Sequence, residues 1–132
     1  MSSATSLSEL ADERFVLLTT FRRSGEPVST PVWIARDGAG PMVTTPKKSG
    51  KVRRLRNSDR IELRPCNRMG KIDDRVQPTP ATAIIVDDDA SRDTLTSVFG
   101  RKYGLEYRIF LFIERLTRSG RQDRVMLRIS AV

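Results

Sequence analysis

Six short runs of strand-forming residues, each closed by a turn or proline signal, recur along this 132-residue chain and limit its fold more than any other feature. Residues 14–21 (RFVLLTTF) are β-branched and aromatic with no breaker inside, and read as a buried strand. Residues 23–26 (RSGE) form a turn, Gly25 supplying the permissive backbone. Residues 27–35 (PVSTPVWIA) give a second strand with Val28, Thr30, Val32 and Ile34 on one face. Pro31 inside it cannot donate to a ladder, which predicts a bulge or a sheet edge. Residues 37–40 (DGAG) turn the chain into a short third strand at 42–45. Residues 59–66 (DRIELRPC) alternate, Ile61 and Leu63 opposite Glu62 and Arg64, as a half-buried strand does. After a turn at 67–70, residues 76–86 are extended, with Pro78 and Pro80 delaying regular pairing until Ala81. Val125, Leu127 and Ile129 alternate in a closing strand.

Helical signals fall between these runs. Ser49 caps a short helix from Gly50 to about Asn57, with Val52 and Leu55 facing inward. Asp87, Asp88 and Asp89 open a longer helix, their carboxylates suiting the positive end of its dipole. Leu95, Val98, Phe99 and Tyr103 give its helical spacing, and Gly104 ends it. Residues 106–116 form a second helix, apolar nearly all round, which points to burial at a subunit contact. A polar loop follows at 118–123, and residues 1–12 are a polar, partly helical lead-in. The order β-β-β-α-β-β-α-α-β fits one domain over 1–132, a mainly β, α+β antiparallel barrel with a late helical pair, and not parallel βαβ units.

Histidine is absent, which removes the usual general base, the usual transition-metal ligand and every Ser-His-Asp triad. If the chain is an enzyme, a bound cofactor or carboxylates must carry the chemistry. Cys66 is the single cysteine, so no internal disulfide forms and a cytoplasmic setting is expected. No secretory signal and no apolar run near the roughly 20 residues of a membrane span are visible. The formal net charge is +8, and between Lys47 and Arg75 eleven basic residues face four acidic ones. That excess reads either as a solvated surface or as a seat for an anionic partner.

Several constellations bear chemistry. In Thr44-Thr45-Pro46-Lys47-Lys48-Ser49-Gly50-Lys51 a strand end leads through small residues to a basic helix start, where N–H groups, hydroxyls and ammonium groups converge as phosphate requires. The stretch lacks the P-loop pattern. In Thr30-Pro31-Val32-Trp33 the ladder interrupted at Pro31 leaves backbone groups free for a planar heterocycle. Trp33 reads as core or dimer-interface packing ahead of a ligand contact. In Arg64-Pro65-Cys66 the cysteine is a small buried hydrophobe or, alternatively, a redox group. Tyr103 reads as core, leaving Lys102 to reach an anion. The Asp87–Asp89 run caps a helix rather than binding Mg²⁺, and no carboxylates pair for acid–base catalysis.

Taken in order, FVLLTTFRRSGEPVSTPVWIARDG, SGKVRRLRNSDRIELRPCNRMGK and DDDASRDTLTSVFGRKYGL resemble the pyridoxamine 5'-phosphate oxidase-like flavin/deazaflavin oxidoreductases of actinobacteria, in particular their F420-dependent split-barrel branch. The blocks TPVW, SGKVRRLRN and KYGL carry the likeness, which extends from about Phe15 to Ile129. The resemblance implies a six-stranded antiparallel split β-barrel (FMN-binding split barrel) with flanking helices, built as a homodimer with a cofactor groove at the subunit interface. It implies a cofactor phosphate against Lys47, Ser49, Gly50 and Lys51, with Arg54 and Arg56 nearby. The ring would lie along Thr30, Pro31, Val32 and Trp33 and along Val43, Thr44 and Thr45, flanked by Pro65 and Cys66. The expected activity is F420-dependent hydride transfer to a small-molecule acceptor, the cofactor supplying the redox chemistry. The alternatives are an FMN-binding oxidase of the same fold, a non-catalytic cofactor carrier, and a basic nucleic-acid-binding barrel. The last is disfavoured because the basic stretch has no aromatic residue on which bases stack.

Overall fold

A computed structural model describes residues 5–117 and 124–132 of the chain. The elements are α1 (Leu7–Ala11), β1 (Phe15–Phe21), β2 (Pro27–Asp37), β3 (Gly40–Pro46), α2 (Gly50–Leu55), β4 (Arg60–Pro65), β5 (Thr79–Val86), α3 (Asp89–Tyr103), α4 (Leu105–Thr117) and β6 (Arg124–Ala131). All strand pairings are antiparallel, and the strands close in the order β1-β2-β3-β6-β5-β4. Closure leaves strand edges exposed only where neighbouring strands diverge, as β2 and β3 do before Ile34. The polar loop expected at 118–123 lies outside the described residues.

The alternation seen in the sequence is the inside–outside alternation of the barrel. Val16, Leu18, Ile34, Val43, Ile61, Leu63, Ala81, Leu127 and Ile129 fill its interior. Each large side chain so buried contributes about 1.5–3 kcal/mol. A second cluster packs α3 and α4 onto the outside of the wall, where Leu95, Phe99, Tyr103 and Tyr107 meet Ala35, Met42 and Met126. Capping follows the sequence closely. The Ser49 hydroxyl accepts from the Val52 N–H, the Asp88 carboxylate accepts from the Ser91 N–H, and Gly104 takes a φ of 56° where α3 ends.

Two strand boundaries that differ from expectation have a physical cause in the pairing. β2 runs on to Asp37 because the Asp37 carboxylate takes both guanidinium nitrogens of Arg128, at 2.9 and 3.1 Å, which brings a charged residue into the sheet. β5 pairs from Thr79, not Ala81, with Pro80 opposite Glu62. There β4 is its only strand neighbour, so the missing N–H of Pro80 breaks no second ladder. Pro31 is tolerated for the same reason: β1 pairs with β2 from Pro27 to Trp33 in unbroken register, while β3 pairs with it only from Ile34 onward. Pro31 therefore marks an edge and no bulge.

Candidate functional site

The sheet opens where β2 and β3 part company. Beyond the Ile34–Val43 pair, β2 stays with β1 while β3 continues along β6 through Thr45–Val125 and Pro46–Arg124. Between the diverging strands lies a cleft of about 520 Å³, within the usual range for a small-molecule site. Pro31, Val32 and Trp33 form one bank, and Thr44, Thr45 and Pro46 the other. Lys51 of α2 and Arg124 of β6 stand on the strand β3 side, and Ile109, Phe110 and Ile113 of α4 form a roof. Phe15, Arg68 and Glu106 complete the lining.

Trp33 is the hub of the aromatic wall. Its ring stacks on Tyr103 at 4.8 Å and 12° and meets Phe15, Tyr107 and Phe110 at tilted or edge-on angles. The two readings of Trp33 thus combine: one part packs on α3 and α4 while another faces the cleft.

Lys51 is half-buried and, among the described residues, has no hydrogen-bond or ion-pair partner. Burial lowers its pKa, and the nearby Arg54 and Arg124 guanidinium groups lower it further. An anion placed there would offset the burial penalty and relieve both repulsions. Arg124 is aimed by the far bank: its Nε donates to Thr44 Oγ1 at 2.8 Å, and its guanidinium lies 5.2 Å from the Phe110 ring centre. Hydroxyls add further polar groups, Thr45 Oγ1 lying 3.2 Å from Ser49 Oγ.

Of the site residues expected from sequence, Pro31, Val32, Trp33, Thr44, Thr45 and Lys51 line the cleft, and the rest do not. Lys47 is drawn to Asp87 at 2.9 Å. The Ser49 hydroxyl is engaged in capping α2. Arg54 Nε donates to Thr20 Oγ1 at 2.6 Å, and its guanidinium covers Gly50, where an added Cβ would lie 2.8 Å from Arg54 Nη1. Gly50 thus makes room for Arg54 and lies off the cleft. Thr30 Oγ1 is buried without a hydrogen-bond partner on the inward face of the same bank. Pro65 and Cys66 sit beyond β1, where the Cys66 N–H donates to Phe15 O. Burial, followed by the charge of Glu13, raises the Cys66 thiol, which disfavours the reactive thiolate. Lys102 is no anion ligand: its ammonium donates to the carbonyls of Ala11, Glu13 and Ile34 at 2.8, 2.5 and 2.6 Å.

Sequence reasoning missed Phe15, Arg68, Glu106, Ile109, Phe110, Ile113 and Arg124. The apolar character of α4 was visible, but not that part of it roofs a cleft. Arg124 enters through the β3–β6 register, across nearly eighty residues of chain, and nothing local announces it.

Barrel, split and cleft together define a split-barrel protein with a ligand-sized cleft at the parting of two strands. The family model described as pyridoxamine 5'-phosphate oxidase matches residues 5–132, and the chain belongs to that family. No curated protein matches the chain. Among solved structures it is similar to HutZ, the heme storage protein from Vibrio cholerae, with TM-score 0.61, 17% identity, and coverage of 100% of this chain and 92% of that one. A protein described as F420 reductase gives TM-score 0.56 at 16% identity, covering 97% and 94%. A FAD-binding protein from Mesorhizobium loti gives 0.57 at 12% identity, covering 92% and 82%. At these identities the likeness is one of fold. No helix among the described residues is long and apolar enough to cross a membrane, and none of their His, Cys, Asp and Glu side chains cluster as a metal site.

Proposed function

We propose that this chain is an F420-dependent oxidoreductase that passes a hydride between the deazaflavin and a small-molecule acceptor. One observation carries the reading: the half-buried Lys51, without a polar partner among the described residues, stands beside Arg124 at one side of a cleft that Phe15, Trp33 and Phe110 also line. That pairing of a cationic corner with flat apolar walls suits a phosphorylated planar coenzyme. The residues fit such a group. Lys51, Arg124 and the Thr45 hydroxyl would hold the phosphate. The Pro31–Trp33 bank, whose outer backbone edge has no strand neighbour, would meet the ring edge. When bound, the deazaflavin would supply the two-electron redox chemistry. The chain's own part is to orient the ring and to keep water from one face with Phe110, Ile109 and Ile113. The relatives described as F420 reductase and as FAD-binding support a redox coenzyme of this kind. We also place a second copy of the chain against α4, whose apolar side chains exceed what the cleft uses.

Separate fluorescence titrations of the purified protein with F420 and FMN test the reading. F420 binds, and Lys51→Ala weakens it by about tenfold or more, the loss of a charge-assisted hydrogen bond worth about 1.5–3 kcal/mol. Tight FMN binding without F420 binding would transfer the site to the flavin. Unchanged F420 affinity in Lys51→Ala would remove Lys51 from it.

A further inference from the structure

At the other side of the cleft, three charged side chains meet that the coenzyme reading leaves unused. Glu106, in the first turn of α4, is ion-paired to Arg14 and lies 3.5 Å from Arg68. Two guanidinium groups thus share one carboxylate, leaving a surplus positive charge. Arg14 makes the closer contact with Glu106, and its guanidinium also lies 5.3 Å from the Tyr103 ring centre. Arg68 has only its long contact with Glu106, among the described residues, and its side chain is 73% exposed.

The backbone that carries Arg68 is fixed. In the turn after β4, Asn67 Oδ1 accepts from the N–H groups of Met69 and Lys71, both at 2.9 Å, and the Gly70 N–H donates to Asn67 O. Gly70 takes a φ of +83° and lies against Pro31, where an added Cβ would be 3.6 Å from the proline ring. The turn is thereby seated on the cleft bank itself. Arg68 is an exposed cation on a hydrogen-bonded turn, facing a cleft lined by Phe15, Trp33 and Phe110.

We propose that Arg68 recognises an anionic group, such as a carboxylate, on an acceptor whose aromatic body lies against Trp33. This deepens the function proposed above and rests on the same cleft, but uses the end away from Lys51. The planar fork of arginine matches a carboxylate with two parallel hydrogen bonds. Glu106 keeps Arg14 when Arg68 turns to the ligand, so the exchange leaves no carboxylate unpaired. The acceptor class is an aromatic or otherwise flat molecule bearing an acid.

The test needs no coenzyme. Trp33 is the only tryptophan of the chain and lines the cleft, so its fluorescence reports binding there. The probes are 4-nitrobenzoate and 4-nitrobenzamide, nearly equal in shape and different in charge, titrated in buffer without F420 or FMN. The native protein prefers the benzoate by about tenfold or more. Arg68→Gln brings the two affinities within about twofold of each other. Arg53→Gln makes the same charge change on an exposed position outside the cleft and keeps the preference. An equal affinity of the native protein for both probes would overturn the proposal, and so would a preference that survives Arg68→Gln. Failure of F420 to bind would overturn the coenzyme reading and leave this preference intact.

Discussion

At the scale of single residues, the most tightly bound polar group is the Lys102–Tyr103 pair at the end of α3. The Tyr103 hydroxyl accepts from the Ile34 N–H at 3.2 Å and has the carbonyls of Arg14 and Ile34 each at 2.7 Å for its one proton. Burial raises its pKa from 10.0 to about 12. The folded chain thus holds this proton more tightly than the unfolded one. The contribution is fully present below pH 10 and is lost as pH rises toward 12, amounting to about 2–3 kcal/mol. Lys102 runs the other way. Burial lowers it from 10.5 to about 8, so the folded chain releases its proton first, and stability from this group rises between pH 8 and 10.5. Tyr103→Phe leaves the Ile34 N–H without its acceptor, and costs about 1–3 kcal/mol at neutral pH. In urea unfolding at stepped pH, the variant loses less stability than the native protein between pH 10 and 12. Parallel curves for the two proteins would show that the hydroxyl is not what titrates.

At the scale of elements, legibility in the sequence depended on whether a local period met a single environment. β4 and β6 alternate because one face meets the core, and Ile61, Leu63, Val125 and Leu127 are all fully buried. α3 was readable from four apolar positions and its caps. Pro31 was readable as a bulge or an edge and is an edge, whereas Pro80, expected to delay pairing until Ala81, pairs with Glu62 because β4 is its only strand neighbour there. What escaped was set by long-range register: the charged end of β2 held by Arg128, and the arrival of Arg124 beside Lys51. Element α4 lies between these cases. Its apolar character was plain, and Tyr107, Ile109, Phe110 and Ile113 account for part of it through packing or the cleft. Leu105 and Phe112 remain 70% and 60% exposed and serve neither purpose. A contiguous exposed apolar surface of this kind marks an interaction site, and a second copy is the occupant proposed here. Phe112→Glu should convert a dimeric native protein to monomers in light scattering, while changing the unfolding stability of the monomer, measured where both proteins are monomeric, by no more than about 0.5 kcal/mol, as an exposed position outside the core. A native monomer would remove the proposed second copy, and a dimer unaffected by the new charge would place the subunit contact elsewhere.

At the scale of the molecule, the run of eleven basic residues between Lys47 and Arg75 suggests one anion seat, and the fold disperses it. Lys47 goes to Asp87, Arg54 to Thr20, Arg64 to the Val76 carbonyl, Arg75 to Asp73, and Arg60 over the Phe21 ring at 3.9 Å. From that run, Lys51 and Arg68 reach the cleft, one on each side, and Arg124 joins from the far end of the chain. Local recognition of an anion therefore rests on few groups, whereas the net charge of +8 acts at long range. These effects separate by salt. A field spread over the whole surface speeds the encounter with an anion and is screened beyond about 10 Å at 0.1 M ionic strength. A half-buried contact such as that of Lys51 is screened much less. Stopped-flow mixing with F420 should therefore show the association rate falling by about tenfold between roughly 0.02 and 0.5 M salt, with the dissociation rate changing by less than about threefold. Lys51→Ala should do the reverse, raising dissociation and leaving the salt dependence of association nearly intact. An association rate indifferent to salt would mean that the dispersed arginines do not steer the ligand, and that their charge is spent on holding α2, the turns and the strand ends in place.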